Sequence, residues 1–295
     1  MISWTGQSKS IEQATIQHPM RIALCADEVY SLPLAVAVGS ILDVASDPTK
    51  VEIIVIDCGI HRESRKMLSD AWAPHGDRVK FVKPAVQSWL SLADPARTWI
   101  SAATYARLLL PEILPDSWRR VIYIDTDTLT LSDLGELWEL DLGDLPLAAI
   151  HDCGIPFVGS RGGIQNWPDY HLDPAAKYFN AGVMLLNLDL IRAQGTFESA
   201  WSYCASSAGL AAWADQEGLN AAVGGQFLEL PQSWNAMWYW TRDDLPLDEG
   251  ERLMQAVQIR HYSGPEKPWL DPRLNKMPWG WKAYRCALNK IQGNP

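Results

Sequence analysis

Short apolar runs alternate with amphipathic stretches over the first third of the chain, and this alternation sets the fold class. Residues 20–26 (MRIALCA), 51–57 (VEIIVID) and 79–83 are rich in β-branched and aliphatic side chains and read as strands. The stretches between them, 34–45 and 63–72, carry helical spacing. Strands separated by helical patterns predict parallel βαβ units and an α/β sheet flanked by helices. Residues 104–114 (TYARLLLPEIL) read as a helix with a kink or break at Pro111. The run 121–124 is apolar at every position, as a strand buried on both faces requires. Residues 145–150 and 179–188 supply two more strands, the second expected to break at Ala181-Gly182. Asp215–Val223 and 281–291 read as helices, and 231–240 as an aromatic-rich loop or strand. Residues 153–178 lack any period and are rich in Gly, Pro, Asp and Trp, the profile of a long binding loop or lid.

Composition narrows this picture little, and charge narrows it more. With 295 residues, 47% of them hydrophobic, the chain can build a full core. The five cysteines stand singly with no C-x-x-C pair, which argues against a disulfide framework or zinc knuckle and suits a reducing, cytoplasmic setting. Residues 1–19 are polar and read as a loose extension without the apolar run of a signal peptide. A net charge of −10 argues against a general nucleic-acid binder. From Arg252 onward, however, eight Lys/Arg face only Glu266 and Asp271. Such a basic end suits an anionic ligand or a peripheral contact with the inner face of a membrane. The domain division expected is therefore an extension (1–19), a catalytic domain (20–270) and a basic appendage (271–295).

Candidate chemistry begins at Asp125-Thr126-Asp127, which follows the buried run 121–124 directly. In open α/β sheets ligands gather beyond the carboxyl ends of strands. Two carboxylates separated by one residue can share a hard cation, Mn²⁺ or Mg²⁺, whose charge would stabilise a departing diphosphate. A solvated turn gives the same three letters. The run also partly resembles the D-x-D-x-T motif of haloacid-dehalogenase-like phosphatases, in which the first aspartate is the nucleophile. That motif requires Thr where Leu129 stands, and it normally opens the fold. Further on, the stretch His261 to Trp269 combines a ligand-type imidazole, a Gly-Pro turn and Lys267. A neutral imidazole could complete a cation's ligands, Gly264 would let the backbone approach a phosphate, and Lys267 would neutralise it.

With these motifs in order along the chain, the sequence resembles glycosyltransferase family eight, which includes bacterial lipopolysaccharide galactosyl- and glucosyltransferases and glycogenin. The resemblance rests on Ala26-Asp27 with Tyr30, on Thr104 through Arg107, on Asp125-Thr126-Asp127, on Phe179 through Val183, on Asp215-Gln216 with Leu219-Asn220, and on His261 through Trp269. It implies a GT-A, Rossmann-like fold with a mostly parallel sheet and a retaining transfer of galactose or glucose from a UDP-sugar to a saccharide acceptor. Ala26 and Asp27 would meet the uracil with Tyr30 stacking on it, and Arg107 would contact the donor. Asp125, Asp127 and His261 would hold Mn²⁺ or Mg²⁺, Asp125 also reaching the ribose or sugar. Asn180 and Ala181, from the Phe179 motif, would lie at the donor, with Asn180, Asp215 and Gln216 around the transferred sugar. Gly264 and Lys267 would hold the diphosphate. Asp152 would lie on the acceptor side. Gln216 would approach the anomeric carbon in a front-face substitution, with Asp215 the alternative nucleophile of a double displacement. Val29, Glu217 and Trp99 depart from the usual pattern. Among the fifteen tryptophans, Trp167, Trp234, Trp238, Trp240, Trp269, Trp279 and Trp281 are the candidates to stack on an acceptor sugar or to fill ordinary cores. The competing readings are a phosphohydrolase with Asp125 as nucleophile and a carbohydrate-binding protein that has lost transfer.

Overall fold

The computed structural model describes residues 19–85, 101–206, 212–237, 247–264, 267–270 and 278–293. The βαβ pattern of the first third is realised as β1 (Met20–Ala26), α1 (Ser31–Val44), β2 (Val51–Asp57), α2 (Arg62–Ala71) and β3 (Val79–Val82). β4 (Arg120–Ile124) follows, then the short β5 (Thr128–Thr130), β6 (Leu147–His151), β7 (Phe179–Asn187), β8 (Leu228–Leu230) and β9 (Ile259–His261). Seven strands form one sheet in the order β3-β2-β1-β4-β7-β6-β8. β7 pairs antiparallel with β4 and β6, and the other pairings are parallel.

Strand alternation sorts the side chains onto two faces. Ile22, Leu24, Ile122 and Ile124 join α1 and α2 in one core, while Ala23, Cys25, Val121 and Tyr123 join the other. That second core is closed by α5 (Leu188–Gln194), α6 (Thr196–Ser206) and α7 (Asp215–Val223). Two shorter helices, α3 (Leu110–Ile113) and α4 (Gly135–Trp138), precede them in the chain.

Two expectations are corrected here. Residues 102–109 wind as a 3₁₀ helix, and only Leu110–Ile113 is α-helical, with Pro111 in its first turn. Pro111 lacks the N–H that an interior helical position must donate, so it starts the α-helical turn instead of kinking a longer one. β7, expected to break at Ala181-Gly182, runs unbroken. Its ladder to β6 nevertheless slips there, Ala149 lying opposite Met184 and Ile150 opposite Asn180. A bulge satisfies both readings, since it interrupts pairing without ending the strand.

The terminal helix Pro278–Ile291 packs on α1. The Ile291 side chain lies where a Cβ on Gly39 would fall, and Tyr284 is buried against Val36, Leu129 and Tyr262. Residues 1–18, Trp99, Trp238, Trp240, Arg273 and Lys276 fall outside the described residues, as do the side chains of Trp279 and Trp281. Among the described residues no helix is long and apolar enough to cross a membrane.

Candidate active site

The carboxyl ends of β1, β4 and β6 deliver Asp27, Asp125 and Asp152 to one edge of the sheet. Because β7 runs the other way, its first residues, Phe179 and Asn180, reach the same edge. β1 lies between β2 and β4, the point where strand order reverses and where such sheets bind ligands. A cavity of about 640 Å³ opens there, large enough for a small cofactor. Its walls include Ala26, Asp27, Tyr30, Arg107, Asp125, Asp127, Asp152, Asn180, Asp215, Gln216, His261, Gly264 and Lys267. Of the expected site residues only Ala181 is absent from the lining, being buried directly behind Gln216 and Arg107.

His261 arrives by a second, two-stranded sheet. β5 pairs antiparallel with β9 so that Thr128 faces His261, and the Tyr262 N–H donates to the Asp127 carbonyl at 2.9 Å. That pairing carries the imidazole onto the aspartate turn. Nε2 of His261 lies 3.2 Å from Asp127 Oδ1 and 3.9 Å from Asp125 Oδ2. One ligand atom from each of the three residues falls within 4.8 Å of the others.

The other oxygen of each carboxylate is already engaged. Asp125 Oδ1 accepts from the Tyr123 hydroxyl at 2.7 Å and pairs with Arg107 Nη2 at 3.1 Å. Asp127 Oδ2 accepts from Lys267 Nζ at 2.5 Å, and the same ammonium donates to the Tyr262 carbonyl at 2.8 Å. The inner oxygens and Nε2 therefore converge as an O,O,N donor set, which fits a divalent cation. Electrostatics separates the two acids. Burial, then Asp127, pushes the Asp125 carboxyl up against the opposing pull of Arg107 and His261. Burial also acts to raise Asp127, but Lys267 and then His261 outweigh it and hold that carboxyl well below the usual range.

Arg107, 5% exposed, ties this centre to α7. Its Nε pairs with Asp215 Oδ2 at 2.6 Å, and its Nη1 donates to the Ala181 carbonyl at 2.8 Å. Its guanidinium lies over the Tyr123 ring at 4.6 Å. Asp215 Oδ1 accepts from the Thr104 hydroxyl at 2.8 Å. Burial raises the Asp215 carboxyl to about 6, against the lowering influence of Arg107 and Thr104. Asp215 opens α7 directly after Ala214, whose φ of 53° is unusual for a residue with a Cβ.

The bulge in β7 frees backbone groups that must find partners, and the site supplies them. The Ala181 N–H donates to Gln216 Oε1 at 3.0 Å, its carbonyl takes Arg107, and the Gly182 N–H donates to Asn180 Oδ1 at 3.0 Å. Gln216 Nε2 and Asn180 Nδ2 both donate to Asp152 Oδ2, at 3.3 and 3.2 Å. Donor-side and acceptor-side candidates thus form one connected polar floor.

Other expected roles meet prior commitments. Asp27 Oδ1 accepts from the Tyr30 N–H at 3.1 Å, and its Oδ2 accepts from the Ser101 hydroxyl. Tyr30 meets Trp269 edge-on, with ring centroids 5.9 Å apart. Trp234 is buried in the core on the α1 face and Trp167 is partly buried against the core of the other face, and neither lines the cavity. Trp213, not among the tryptophans singled out from sequence, lines the cavity at 40% exposure. Sequence reading also passed over Tyr123 and Asn235 at the site, and gave Thr104 and Gly182 no role of their own. The alternation of β4 places Tyr123 on the same side as Asp125, a signal that was available.

The chain, a Rossmann-like sheet with a paired-aspartate and histidine centre at its switch point, belongs to glycosyltransferase family 8, whose model matches residues 21–272. The fold is accordingly of the GT-A type. Among relatives, General stress protein A of Bacillus subtilis (strain 168) is 29% identical over 262 residues, covering 85% of this chain and 87% of its own. The lipopolysaccharide 1,2-glucosyltransferase of Escherichia coli (strain K12) is 26% identical over 172 residues, 57% of this chain and 49% of its own. Among solved structures, the galactosyltransferase LgtC in complex with donor and acceptor sugar analogs superposes with a TM-score of 0.76 at 26% identity, covering 94% of this chain and 98% of that one. The phosphohydrolase reading of Asp125 falls with this assignment.

Proposed function

We propose that the protein is a divalent-metal-dependent, retaining hexosyltransferase that moves galactose or glucose from a UDP-sugar to a saccharide acceptor. The observation that carries this reading is the convergence of Asp125, Asp127 and His261 on one point of the cavity floor, with the outer carboxylate oxygens held by the chain's own donors. A Mn²⁺ or Mg²⁺ ion bound there supplies Lewis-acid stabilisation of the diphosphate leaving group. Lys267, a buried residue of the cavity wall with Gly264, adds positive charge beside that diphosphate, and the φ of 91° at Gly264 is one only glycine adopts readily. Ala26, Asp27 and Tyr30 form the nucleoside end, while Asn180, Asp215 and Gln216 flank the sugar. Both Asp215 oxygens are already engaged by Arg107 and Thr104, which makes it a poor nucleophile and favours front-face substitution. In that course the acceptor hydroxyl attacks on the face the diphosphate leaves, and the diphosphate takes its proton. Asp152, at the far end of the polar floor, faces the acceptor.

UDP release from a panel of UDP-sugars, with Mn²⁺ and with EDTA, tests this directly. Release from one UDP-hexose that EDTA abolishes is the expected result. A protein that neither binds UDP by calorimetry nor releases it would refute the reading.

A pH dependence follows from Asp215. Below about pH 6 the Asp215 carboxyl is protonated and Arg107 keeps Asp125 as its one remaining anionic partner; above that value both ion pairs are intact. Turnover is expected to fall on an acid limb near pH 6, and Asp215→Asn is expected to lower turnover and flatten that limb. A limb unchanged in the variant assigns the titration to another group.

The basic C-terminal stretch suits peripheral contact with an anionic membrane face from the cytoplasmic side, Lys282 and Arg285 being exposed on the terminal helix. Sedimentation with anionic vesicles, compared with neutral ones, tests that placement.

A further inference from the structure

Asn235 is fully buried at the end of the 3₁₀ turn Gln232–Asn235 and had no role in the sequence reading. The next residue stitches it beside β9: the Ala236 N–H donates to the Ile259 carbonyl at 2.8 Å, and the His261 N–H donates to the Ala236 carbonyl at 3.0 Å. Its side-chain amide is thereby held against the His261 ring, with Asn235 Oδ1 2.8 Å from Nδ1. Heavy-atom positions alone do not fix which atom of an amide or imidazole carries a proton, but the network does.

A backbone N–H can only donate. The Gly182 N–H reaches Asn180 Oδ1 at 3.0 Å, so that atom is the acceptor and the other end of the amide is NH₂. The NH₂ of Asn180 faces the Asp152 carboxylate, which can only accept when ionised. Asn235 Nδ2 stands 2.8 Å from the same Asn180 Oδ1 and must donate to it. This leaves Asn235 Oδ1 facing Nδ1 of His261. Two lone pairs at 2.8 Å in a dry site would repel, so Nδ1 carries the proton. When the ring is neutral, as a cation ligand must be, its lone pair is on Nε2, the nitrogen that faces Asp125 and Asp127.

We propose that Asn235 is a positioning residue that pins the His261 proton on Nδ1 and thereby reserves Nε2 for a divalent cation. The cation half of this statement rests on the metal-dependent reading above, whereas the proton half stands on the hydrogen-bond chain alone. Ligating histidines are commonly oriented this way, and loss of such a partner typically lowers metal affinity about 10–100-fold. The unusual element is the length of the chain: Asp152 on the acceptor side, Asn180, Asn235 and His261 form one directed series, so the acceptor wall and the cation site share a proton register.

The test compares the wild-type protein with Asn235→Leu, which keeps bulk and removes both hydrogen bonds, and Asn235→Asp, which keeps the acceptor but not the donor to Asn180. Ring nitrogen-15 NMR of the metal-free proteins, with His261 assigned by its loss in His261→Gln, reads the proton. Calorimetry with Mn²⁺ alone reads the affinity. The expected result is a slowly exchanging Nδ1–H in the wild type and in Asn235→Asp, and its loss in Asn235→Leu together with an affinity lower by about 10–100-fold. An unprotonated Nδ1 in the wild type overturns the proposal. So does Asn235→Leu with Mn²⁺ affinity within twofold of the wild type, or an Nδ1–H lost equally in Asn235→Asp, which would reduce Asn235 to packing. A wild-type protein that binds no Mn²⁺ while retaining the protected Nδ1–H defeats the metal-dependent reading and leaves the proton assignment standing.

Discussion

Asp127→Ala is expected to lower metal-dependent UDP-sugar turnover by about 10³-fold or more. Loss of a ligand that supports several kcal/mol of charge stabilisation at the leaving group corresponds to that factor, at about 1.4 kcal/mol per tenfold. The structure adds a second effect that the sequence did not suggest. Asp127 is the anionic partner of Lys267, and both side chains are largely buried, at 12% and 8% exposure. Removing one member of a buried pair leaves an uncompensated charge, which costs about 3–5 kcal/mol. The single variant is therefore expected to lose stability as well as turnover. Asp127→Ala combined with Lys267→Met removes the stranded ammonium and is expected to recover most of the stability without recovering turnover. Thermal unfolding and donor hydrolysis, measured on the same three proteins, separate the two effects. A double variant that regained turnover would show that Asp127 serves only to neutralise Lys267.

Gly182→Ala carries the second large effect. The site is built around a missing side chain: a Cβ at Gly182 would lie 2.6 Å from Nδ1 of His261, closer still to Cε1, and 3.0 Å from Asn180 Oδ1. All three atoms belong to the directed hydrogen-bond chain or the imidazole it orients. The Gly182 carbonyl also accepts from the Asp125 N–H at 2.8 Å, so a shift of this backbone moves one carboxylate as well. The φ at Gly182 is not in the left-handed region, and the conflict is purely one of space. Overpacking of a buried site costs about 1–3 kcal/mol in stability. The ring cannot rotate away without breaking its contact with Asn235. Loss of Mn²⁺ binding in calorimetry, with a folded protein by circular dichroism, is the expected outcome. Wild-type Mn²⁺ affinity in this variant would place the cation elsewhere.

Gly182 also illustrates how much of the site could be read from the chain. The Phe179–Val183 motif marked the region, and a strand with a Gly at its centre suggested an interruption. What the interruption does became visible only with β6 and β7 paired, because a bulge is a property of two strands. Asn235 was less legible still. An asparagine in an aromatic-rich stretch has many uses, and its partners, Asn180 and His261, are distant in sequence. Tyr123 and Thr104 likewise support Asp125 and Asp215 through contacts that no local pattern encodes.

The sequence by itself determined the elements whose cause is local. β1, β2 and α7 have the bounds their patterns predict, because apolar periodicity and composition act over a few residues. It also determined that Asp125 and Asp127 share a turn after a buried strand, since spacing and burial are both written there. Tertiary structure alone decided that β7 runs against its neighbours and brings Asn180 to the working edge of the sheet. It alone decided that β9 returns to β5 and sets His261 onto that turn, that Lys267 answers Asp127, and that Gly182 leaves room for the ring. These are contacts between segments far apart in the chain. Their geometry is fixed by the packing of the sheet and its helices, and by the cost of leaving a buried polar group without a partner.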